Sequence, residues 1–342
     1  MRGLFLMKRK VGVFFDGFDP VNAGYLEAAL SAAGKLGLSF VLMGLLSGKA
    51  EESYGIRWRM LVAACSDTAN LIPVRTEQEC IAERMEFLQG KYPDDELVII
   101  SEPADTVSGF NNMIVGEIRL GSRNVCFGSI SVPLPVYEYI SAAGLYGIPA
   151  RIVESGRWLE CLFSALKPHR FAHSLSVAAT ARLLAERFGE NPEKAEKAGL
   201  LHDCAKNLSL AEMQRIIAEN GMIVDEQMLG QDSLLHSIAG ACLIQRMYGV
   251  TDPDIIDAVA SHNTGRPGMS RLSMCVCLAD SIEPGRMPYP HLDEIRCLAE
   301  TSLEKALLLS LEGVRDQVLS NGWYLHPRTR DTIDWLRSQD VQ

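Results

Sequence analysis

Residues 198–206 read Ala-Gly-Leu-Leu-His-Asp-Cys-Ala-Lys, and this stretch decides how the second half of the chain folds. An apolar, helix-compatible run ends there in His202 beside Asp203, with Lys206 three residues later. Burying such groups without a hydrogen bond or a metal costs several kcal/mol. Adjacent helical residues project about 100° apart, so the carboxylate could reach between two ions while the imidazole faces one of them. The pair suggests a dinuclear metal site, although alone it also fits an ordinary surface helix end.

The length and composition of the chain indicate two globular domains. Its 342 residues suffice for two domains of ordinary size, and the sequence is 47% hydrophobic and 22% charged, which is typical of soluble folded proteins. The net charge of -10 argues against binding to nucleic acid or to an anionic membrane, because both rely on clustered Lys and Arg. A phosphate-bearing ligand must therefore be met by local cations.

The cysteines and the apolar runs predict a cytoplasmic protein. Nine cysteines occur without a CxxC pair, and several lie inside apolar helical patterns, as reduced core residues do. These are Cys65, Cys204, Cys242, Cys275 and Cys277. The N-terminal residues 1–10 contain too short an apolar run for a signal sequence. No apolar run reaches the roughly 18 residues of a membrane span, so we expect none.

Strand and helix patterns alternate in the first half of the chain. The apolar runs Val11–Phe15, Leu38–Leu46 and Leu97–Ile100 predict strands. Helical patterns separate them at Asn22–Lys35, Arg57–Ser66 and Glu77–Gln89. Such alternation predicts a parallel sheet covered by helices, an α/β fold. Because ligands bind at the carboxyl ends of such strands, the loop after the first strand is the natural pocket.

That loop resembles the first loop of the nicotinate-nucleotide adenylyltransferases, GGTFDPxHxGH. Residues 15–25 read Phe-Asp-Gly-Phe-Asp-Pro-Val-Asn-Ala-Gly-Tyr, so the Phe-Asp-Pro core and Gly24 match. The helix at Arg57–Ala63 and the segment Val136–Tyr146 also resemble that family. The resemblance implies a Rossmann-like nucleotidyltransferase fold for a first domain of residues 1–152.

The chemistry of that family does not carry over. Asn22 and Tyr25 occupy the positions of its two histidines, which stabilise charge on the transferring phosphates. Phe15 and Asp16 replace its paired glycines, which let backbone N–H groups approach phosphate. Its later ISSTxIR-like phosphate segment is missing as well, because residues 128–131 lead almost directly into Pro133. We expect a degenerate site around Asp19, Asn22 and Tyr25, which leaves scaffolding and a retained nucleotide pocket both open.

Beyond residues 151–156 the pattern changes to helix after helix, which predicts a second, all-α domain of residues 153–342. Asn191-Pro192 and Asp252-Pro253 each place a capping side chain before a proline at the first helical position. The expected helices are Trp158–Leu166, Pro168–Phe188, Pro192–Ala205, Leu210–Asn220, Leu234–Tyr248, Pro253–His262 and Arg271–Ile282, with further helix to the C-terminus.

Four imidazoles and two carboxylates lie on these apolar helices and form a candidate ligand set. They are His173, His202, Asp203, His236, His262 and Asp280. Shared metal ions would satisfy all six side chains. Without a partner, each buried polar group would destabilise the folded state. Nitrogen and oxygen donors without thiolate favour iron or manganese over structural zinc. The remaining histidines, His169, His291 and His326, lack this apolar context and are expected at the surface or in turns.

The order H…HD…H…H…D resembles the HD-domain metal phosphohydrolases. The linked motifs indicate a more specific family among these phosphohydrolases. Over about residues 165–338 they resemble the YqeK family of symmetrical diadenosine tetraphosphate hydrolases. They are Arg170 with His173-Ser174, Gly199–Lys206, Leu234–His236, Ser261–Gly265, Met269-Ser270 and Leu278–Arg286. Asn263 departs from the threonine that is usual there, which should spare the metals but could alter ligand contacts.

The resemblance implies two divalent metal ions, iron first and manganese second. One would be held by His173, His202, Asp203 and Asp280, and the other by Asp203, His236 and His262, with Asp203 as the bridge. A water activated by both ions would cleave diadenosine tetraphosphate into two ADP, with Asp203 and Lys206 as catalytic residues. The residues expected to contact the polyphosphate are Lys206, Thr264, Gly265, Arg266 and Arg286, although ordinary surface charge is about as good an interpretation of Arg266.

Two alternative functions stay open at this point. One is a non-catalytic nucleotide sensor, and the other is a bifunctional protein whose first domain retains nicotinate mononucleotide adenylyltransferase activity. The expected partner is a dinucleoside polyphosphate, and the sequence also allows a homodimer.

Overall fold

The computed structural model describes residues 8–46, 52–78, 80–100, 120, 123–127, 130–152 and 154–339. These residues form two compact units, and the second begins at Ala150. Earlier residues form the first unit, apart from short pieces such as Ser141–Ala143. The expected boundary between residues 152 and 153 stays a prediction. Two segments interpreted from the sequence, residues 1–7 and Gly128–Ser129, lie outside the described residues.

The first unit combines a parallel sheet with helices, so the α/β prediction is confirmed. Its strands β1, β2, β3 and β4 pair in the order β3-β2-β1-β4, all parallel, and β5 and β6 form a separate antiparallel pair. The elements are β1 (Lys10–Asp16), α1 (Ala23–Leu36), β2 (Phe40–Leu45), α2 (Tyr54–Cys65), β3 (Leu71–Val74), α3 (Ile81–Lys91), β4 (Glu96–Ile100), β5 (Asn124–Phe127), β6 (Ile130–Pro133) and α4 (Leu134–Ala143).

Three strands are not predicted from the sequence, and β3 shows why. It is only four residues long and contains Pro73, which cannot donate a hydrogen bond to a neighbouring strand. Because β3 lies at the edge of the sheet and pairs only with β2 among the described strands, the missing donor is tolerated. The other two are the short strands β5 and β6. Helix α3 also begins later than expected, at Ile81, so Glu77 and Gln78 precede it rather than belonging to it.

The second unit is built from helices, as predicted. Helix α7 ends at Leu201, before His202, and α10 begins at Asp232, before the expected Leu234. The elements are α5 (Ser155–Ala165), α6 (Pro168–Phe188), α7 (Pro192–Leu201), α8 (Leu210–Glu219), α9 (Glu226–Leu229), α10 (Asp232–Met247), α11 (Pro253–Ser261), α12 (Arg271–Ile282), α13 (Leu292–Leu298), α14 (Leu303–Ser320) and α15 (Pro327–Ser338).

Helix α6 packs on α7 and α12, helices α7, α11 and α12 pack against one another, and α10 packs on α11. The closest approach is at Gly199 of α7, where an added Cβ would come within 3.0 Å of the Ala178 Cα atom of α6. A side chain at this position would require the backbone of α6 to shift, so the glycine brings the end of α7 close to α6. The residues that follow α7, beginning with His202, are thereby placed inside the helical layer.

The burial of the cysteines and of His169, His291 and His326 agrees with the sequence predictions, with one exception. The five cysteines expected in the core are buried, and all nine are free thiols. His169 and His291 are exposed. The surface prediction for His326 is wrong, because this residue is 6% exposed and its Nε2 lies 3.1 Å from the Asp225 carboxylate. Among the described helices none is long and apolar enough to cross a membrane.

Candidate metal centre

His173 and Asp280 meet across the packed helices α6 and α12. His173 Nε2 lies 2.9 Å from Asp280 Oδ1. The other ring nitrogen, Nδ1, lies 3.1 Å from Oε1 of Glu283, which directly follows α12. Both nitrogens of this imidazole therefore face carboxylates. His202 Nε2 approaches the same Asp280 Oδ1 to 3.7 Å.

His202 and His262 share one local geometry. Each is the residue immediately after the last residue of its helix, α7 or α11. The carbonyls near a helix end lack intrahelical partners, and each imidazole satisfies one of them by donating from Nδ1. The acceptors are Gly199 O at 2.7 Å and Val259 O at 2.8 Å. In both residues the Nε2 lone pair is left facing inward, which is the arrangement a metal-binding imidazole requires.

Asp203 lies at the meeting point of these side chains. Its Oδ1 is 3.2 Å from His236 Nε2 and 3.7 Å from His262 Nε2, and its Oδ2 is 3.8 Å from His202 Nε2. The two nitrogens of His236 and His262 are themselves 3.1 Å apart. One carboxylate thus has imidazoles on both of its oxygens, as expected of a bridge between two ions.

The donor atoms fit metal ions. Three ligand atoms lie within 4.8 Å of one another in each of two groups, His173 with His202 and Asp280, and His202 with Asp203 and His262. His202 Nε2 is buried and has no hydrogen-bond partner among the described residues. A buried nitrogen without a partner is costly, and coordination would satisfy it. The groups share His202, whereas the sequence placed it with one ion only.

Burial and neighbouring charges set the protonation of these ligands. Burial lowers the pKa of His202 to about 3 and that of His236 to about 4, so both are neutral near pH 7. Burial would also lower the pKa of His173, but the hydrogen bonds that the protonated ring donates to Asp280 and Glu283 outweigh it and raise this pKa to about 9. Burial disfavours ionised Asp203, yet nearby His202, His236 and His262 hold its pKa well below the usual range.

Three cations surround the carboxylates. Lys206 Nζ lies 3.7 Å from Asp203 Oδ1 and 2.9 Å from His236 Nε2. Arg286 pairs with the Asp280 carboxylate and donates to the Asp280 carbonyl at 2.6 Å. Arg170 reaches Asp203 Oδ2 at 3.4 Å. Their side chains are 24%, 38% and 31% exposed, so each connects the buried ligands to solvent.

The loop after His262 contains the other expected substrate contacts. Thr264 is buried, and its carbonyl accepts from Thr332 of α15 at 3.3 Å. Arg266 pairs with Asp257 through two 2.9 Å contacts and donates to the Gly268 carbonyl at 3.1 Å. Arg266 therefore binds its own loop and helix α11, rather than the ligand cluster.

Asn263 is the departure from the related motif, and it too has a local role. Its side-chain amide donates to the Ser233 carbonyl of α10 at 2.8 Å. The contact ties the loop to the helix that carries His236.

The expected degenerate residues lie in the first unit. The Asn22 side chain caps α1 by accepting from the Tyr25 backbone N–H at 3.2 Å. Tyr25 is 8% exposed, and its ring centroid is 5.0 Å from that of Phe18. Asp19 accepts a hydrogen bond from the Tyr146 hydroxyl. Helix capping and aromatic packing thus occupy the positions where the related family has its histidines.

Comparisons with known proteins agree with the helical site. The HD domain family matches residues 170–285, a span that contains all six candidate ligands. The chain is 41% identical over 183 residues to a symmetrical bis(5'-nucleosyl)-tetraphosphatase of Bacillus subtilis, covering 53% of this chain and 96% of the relative. The chain belongs to the symmetrical bis(5'-nucleosyl)-tetraphosphatase family. The membership rests on its second half.

Two other relatives bear on this tetraphosphatase family member. A Clostridium acetobutylicum structure, described as a "predicted HD superfamily hydrolase involved in NAD metabolism", matches with a TM-score of 0.53 and 37% identity, covering 54% of this chain and 97% of the other. A Mycoplasma genitalium protein named "Probable nicotinate-nucleotide adenylyltransferase/Ap4A hydrolase" is 25% identical over 91% of this chain and 99% of its own length. That relative spans both halves.

Two residues of the tetraphosphatase site had no role assigned from the sequence. Glu283 and Arg170 stand inside the motifs that carry the family resemblance, but their partners are 110 and 33 residues away. For Glu283 a signal existed: it follows Asp280 by three residues, which at the end of a helix places two carboxylates on one side. For Arg170 the same spacing applies, because it precedes His173 by three residues on α6.

Proposed function

We propose that this protein hydrolyses diadenosine tetraphosphate, and related dinucleoside tetraphosphates, symmetrically into two nucleoside diphosphates. The observation that carries the proposal is the convergence of four imidazoles and two carboxylates in a chain that matches a symmetrical tetraphosphatase over nearly the relative's whole length. The proposed ligands of one ion are His173, His202, Asp203 and Asp280. Those of the other are Asp203, His236 and His262.

The charges at the site support a polyphosphate substrate. Asp203, Asp280 and Glu283 supply three negative charges, and Arg170, Lys206 and Arg286 supply three positive ones nearby. These side-chain charges balance one another, so the positive charge of two bound divalent ions would have to be compensated by the substrate. A tetraphosphate bridge carries one ionised oxygen on each phosphorus, which compensates that charge.

The proposed reaction breaks one bond. The oxygen of a water molecule bonds to one of the two central phosphorus atoms, and the bond from that phosphorus to the central bridging oxygen breaks. The other nucleoside diphosphate leaves with the bridging oxygen, and the protons of the attacking water pass to solvent. Bound divalent ions would supply an activated water and stabilise charge on the attacked phosphate. Lys206, whose pKa burial lowers, lies beside the bridging carboxylate and is placed to donate to a phosphate oxygen. Arg286, with Thr264 and Gly265, completes the proposed substrate contacts.

The metal is proposed to be iron, with manganese as the second choice. The nitrogen and oxygen donors at this site support either ion over structural zinc. Metal analysis of protein purified without chelators checks this choice, and a zinc content equal to the number of sites would contradict it.

The product assay tests the reaction itself. Metal-loaded protein is incubated with diadenosine tetraphosphate in ¹⁸O-labelled water, and the products are separated and weighed. We expect only ADP, with the label in one of the two molecules formed. AMP with ATP would contradict symmetric cleavage. The matched variants are His202→Asn, which should lose activity, and His326→Asn, which removes a buried imidazole outside the ligand cluster and should retain it.

A nucleotide sensor without catalysis is the alternative for the second unit. Tight binding of diadenosine tetraphosphate by fully metallated protein, with no ADP formed, would favour it over hydrolysis. The intact ligand set supports hydrolysis.

For the first unit we infer a Rossmann-like nucleotidyltransferase fold that no longer catalyses. The parallel strand order supports the fold. Packing supports the loss of catalysis: a Cβ at Gly44 would lie within 2.5 Å of the Phe15 ring, so this ring fills space at the strand ends. The fusion relative favours adenylyl transfer as the competing function. Pyrophosphate released from ATP with nicotinate mononucleotide would establish it.

The remaining expectations about this protein are also proposals. The free cysteines support a reducing compartment, for which we propose the cytoplasm. The homodimer stays a prediction, which sedimentation of the metal-loaded protein would check.

A further inference from the structure

The proposed imidazole ligands differ in the group that contacts Nδ1 of the ring. His202 and His262 each donate from Nδ1 to a carbonyl one turn back in their own helix. His173 instead faces the carboxylate of Glu283 across 3.1 Å. A carbonyl is neutral, whereas Glu283 brings a full negative charge to the side of His173 that faces away from the ligand cluster.

The Glu283 carboxylate is held rigidly in this place. Glu283 is 3% exposed. Its second oxygen, Oε2, accepts the backbone N–H of Gly285 at 2.6 Å. Arg296 donates to the Glu283 carbonyl at 2.9 Å, which fixes the chain just after α12. A side chain restrained at both oxygens and at its backbone cannot adopt many rotamers, so it can orient the ring it touches.

We propose that Glu283 is the positioning residue for the metal ligand His173. Its carboxylate accepts the Nδ1 proton, which fixes the tautomer of the ring and turns Nε2 toward Asp280 and the ion that these two residues would share. A carboxylate behind a metal-bound imidazole also increases the basicity of the ligand. This inference rests on the proposed metal-dependent function.

The imidazole on the opposite side of the cluster has the reverse electrostatic setting. The Lys206 ammonium lies 2.9 Å from His236 Nε2 and 3.3 Å from Nδ1. A cation there weakens the attraction of the ring for a metal ion, whereas the carboxylate of Glu283 strengthens that of His173. Arg286 likewise places a cation beside Asp280 and 3.5 Å from His173 Nε2, so each proposed ion has one cation near its ligands. The charge of Glu283 distinguishes the two, and we therefore expect the ion at His173 and Asp280 to be held more tightly.

Calorimetric titration of metal-free protein with Mn²⁺ measures the affinities of the two proposed sites. We expect two binding steps in the wild type. Glu283→Gln keeps the size of the side chain but removes its charge, and should raise the Kd of the tighter step about 10- to 100-fold. The Kd of the weaker step should stay unchanged.

A matched control separates positioning from general stability. Glu196→Gln removes another buried carboxylate. Glu196 lies on α7, the helix that precedes His202, and its carboxylate pairs with Arg182 of α6 at 2.9 Å. This variant should unfold at a lower temperature and keep both Mn²⁺ affinities. An unchanged tight step in folded Glu283→Gln, or an equal loss in Glu196→Gln, would overturn the proposal.

Two further measurements keep the test decisive. If Glu283→Gln fails to fold, Glu283→Asp retains the charge but withdraws it by one methylene, and should raise the same Kd by a smaller factor. If Mn²⁺ affinity depends on Glu283 in a protein that leaves diadenosine tetraphosphate intact, the proposed hydrolysis fails while the positioning role stands. If hydrolysis occurs and the Mn²⁺ affinity does not change in the Glu283 variants, only the positioning role fails.

Discussion

Gly265 lies so close to Thr332 that a Cβ atom added to the glycine would be 2.6 Å from the threonine Cγ2. The two residues are far apart in sequence, and Thr332 belongs to the last helix, α15. The backbone of Gly265 also has a φ of 63°, in the left-handed region that favours glycine. Helix α15 therefore shapes the loop that follows the proposed ligand His262.

Substitution of this glycine should cost more than its backbone angle explains. Gly268→Ala, at a φ of 68° with open space around the added carbon, should cost roughly 1 to 2 kcal/mol. Gly265→Ala should add about 1 to 3 kcal/mol of overpacking. Urea unfolding measures both. Thr332→Ser removes the clashing methyl and should restore part of the loss, so equal costs without rescue would contradict the packing argument.

Arg266 and Asp257 should behave as one unit. Because Arg266 is paired bidentately with Asp257, we expect Arg266→Ala and Asp257→Asn to raise the KM for diadenosine tetraphosphate by similar factors, and the double variant to add little. The half-exposed ion pair should contribute less than about 1 kcal/mol to stability. If Arg266 binds substrate directly, Asp257→Asn will leave KM unchanged, which is the result that would support the role expected from the sequence.

Asp203 and Asp280 should differ in how many ions they hold. Asp203→Asn removes the carboxylate shared by both proposed ions and should lower Mn²⁺ binding at each. Asp280→Asn should weaken only one. Activity should fall at least about 100-fold in either, since even partners of ligands are worth up to that factor. Normal Mn²⁺ stoichiometry in folded Asp203→Asn would remove Asp203 as the bridge.

The stability of the metal-free protein should depend on pH in two separate windows. His202 and His236 have pKa values of about 3 and 4 in the fold, below the ordinary 6.5. Their contribution is complete above pH 6.5 and is lost progressively as the pH falls through 4 and toward 3, because the unfolded state then binds protons that the fold excludes. His173, raised to about 9, stabilises fully below pH 6.5 and loses this effect as the pH rises through 9.

Urea unfolding of chelator-treated protein at a series of pH values checks both slopes. The control is His236→Asn, which should flatten the acid slope and leave the alkaline one. An acid slope that is the same in this variant would show that other groups cause it.

The thiols should divide into reactive and inert sets. Burial raises the pKa of Cys65, Cys275 and Cys277 to about 12 and raises that of Cys204 as well, which suppresses the nucleophilic thiolate. Iodoacetamide should modify exposed Cys80, Cys126 and Cys297 first. Peptide mass spectrometry identifies the modified positions, and early labelling of Cys204 in folded protein would contradict the packing around the site.

The sequence determined the fold class of each half and the set of candidate ligands. Strand runs alternating with helical ones indicate a parallel α/β sheet, because each element must bury one face locally. The candidate ligands could be found because each is a polar residue in an apolar, helix-compatible stretch of the sequence. His202 shows the limit of that reasoning: its helix was expected to continue to Ala205 but ends at Leu201, and the imidazole itself satisfies a carbonyl left by that ending.

The partners of the remaining groups were decided only by tertiary structure. His173 meets Glu283 across 110 residues, and Thr332 contacts Thr264 across 68. Arg266 was expected either to meet phosphate or to be ordinary surface charge, and only the packed structure shows that its guanidinium pairs with Asp257. The burial of His326 against Asp225 was not predicted at all. Local patterns report which face of an element is apolar, but the distance between two polar atoms depends on how separate helices pack, and no spacing along the chain encodes it.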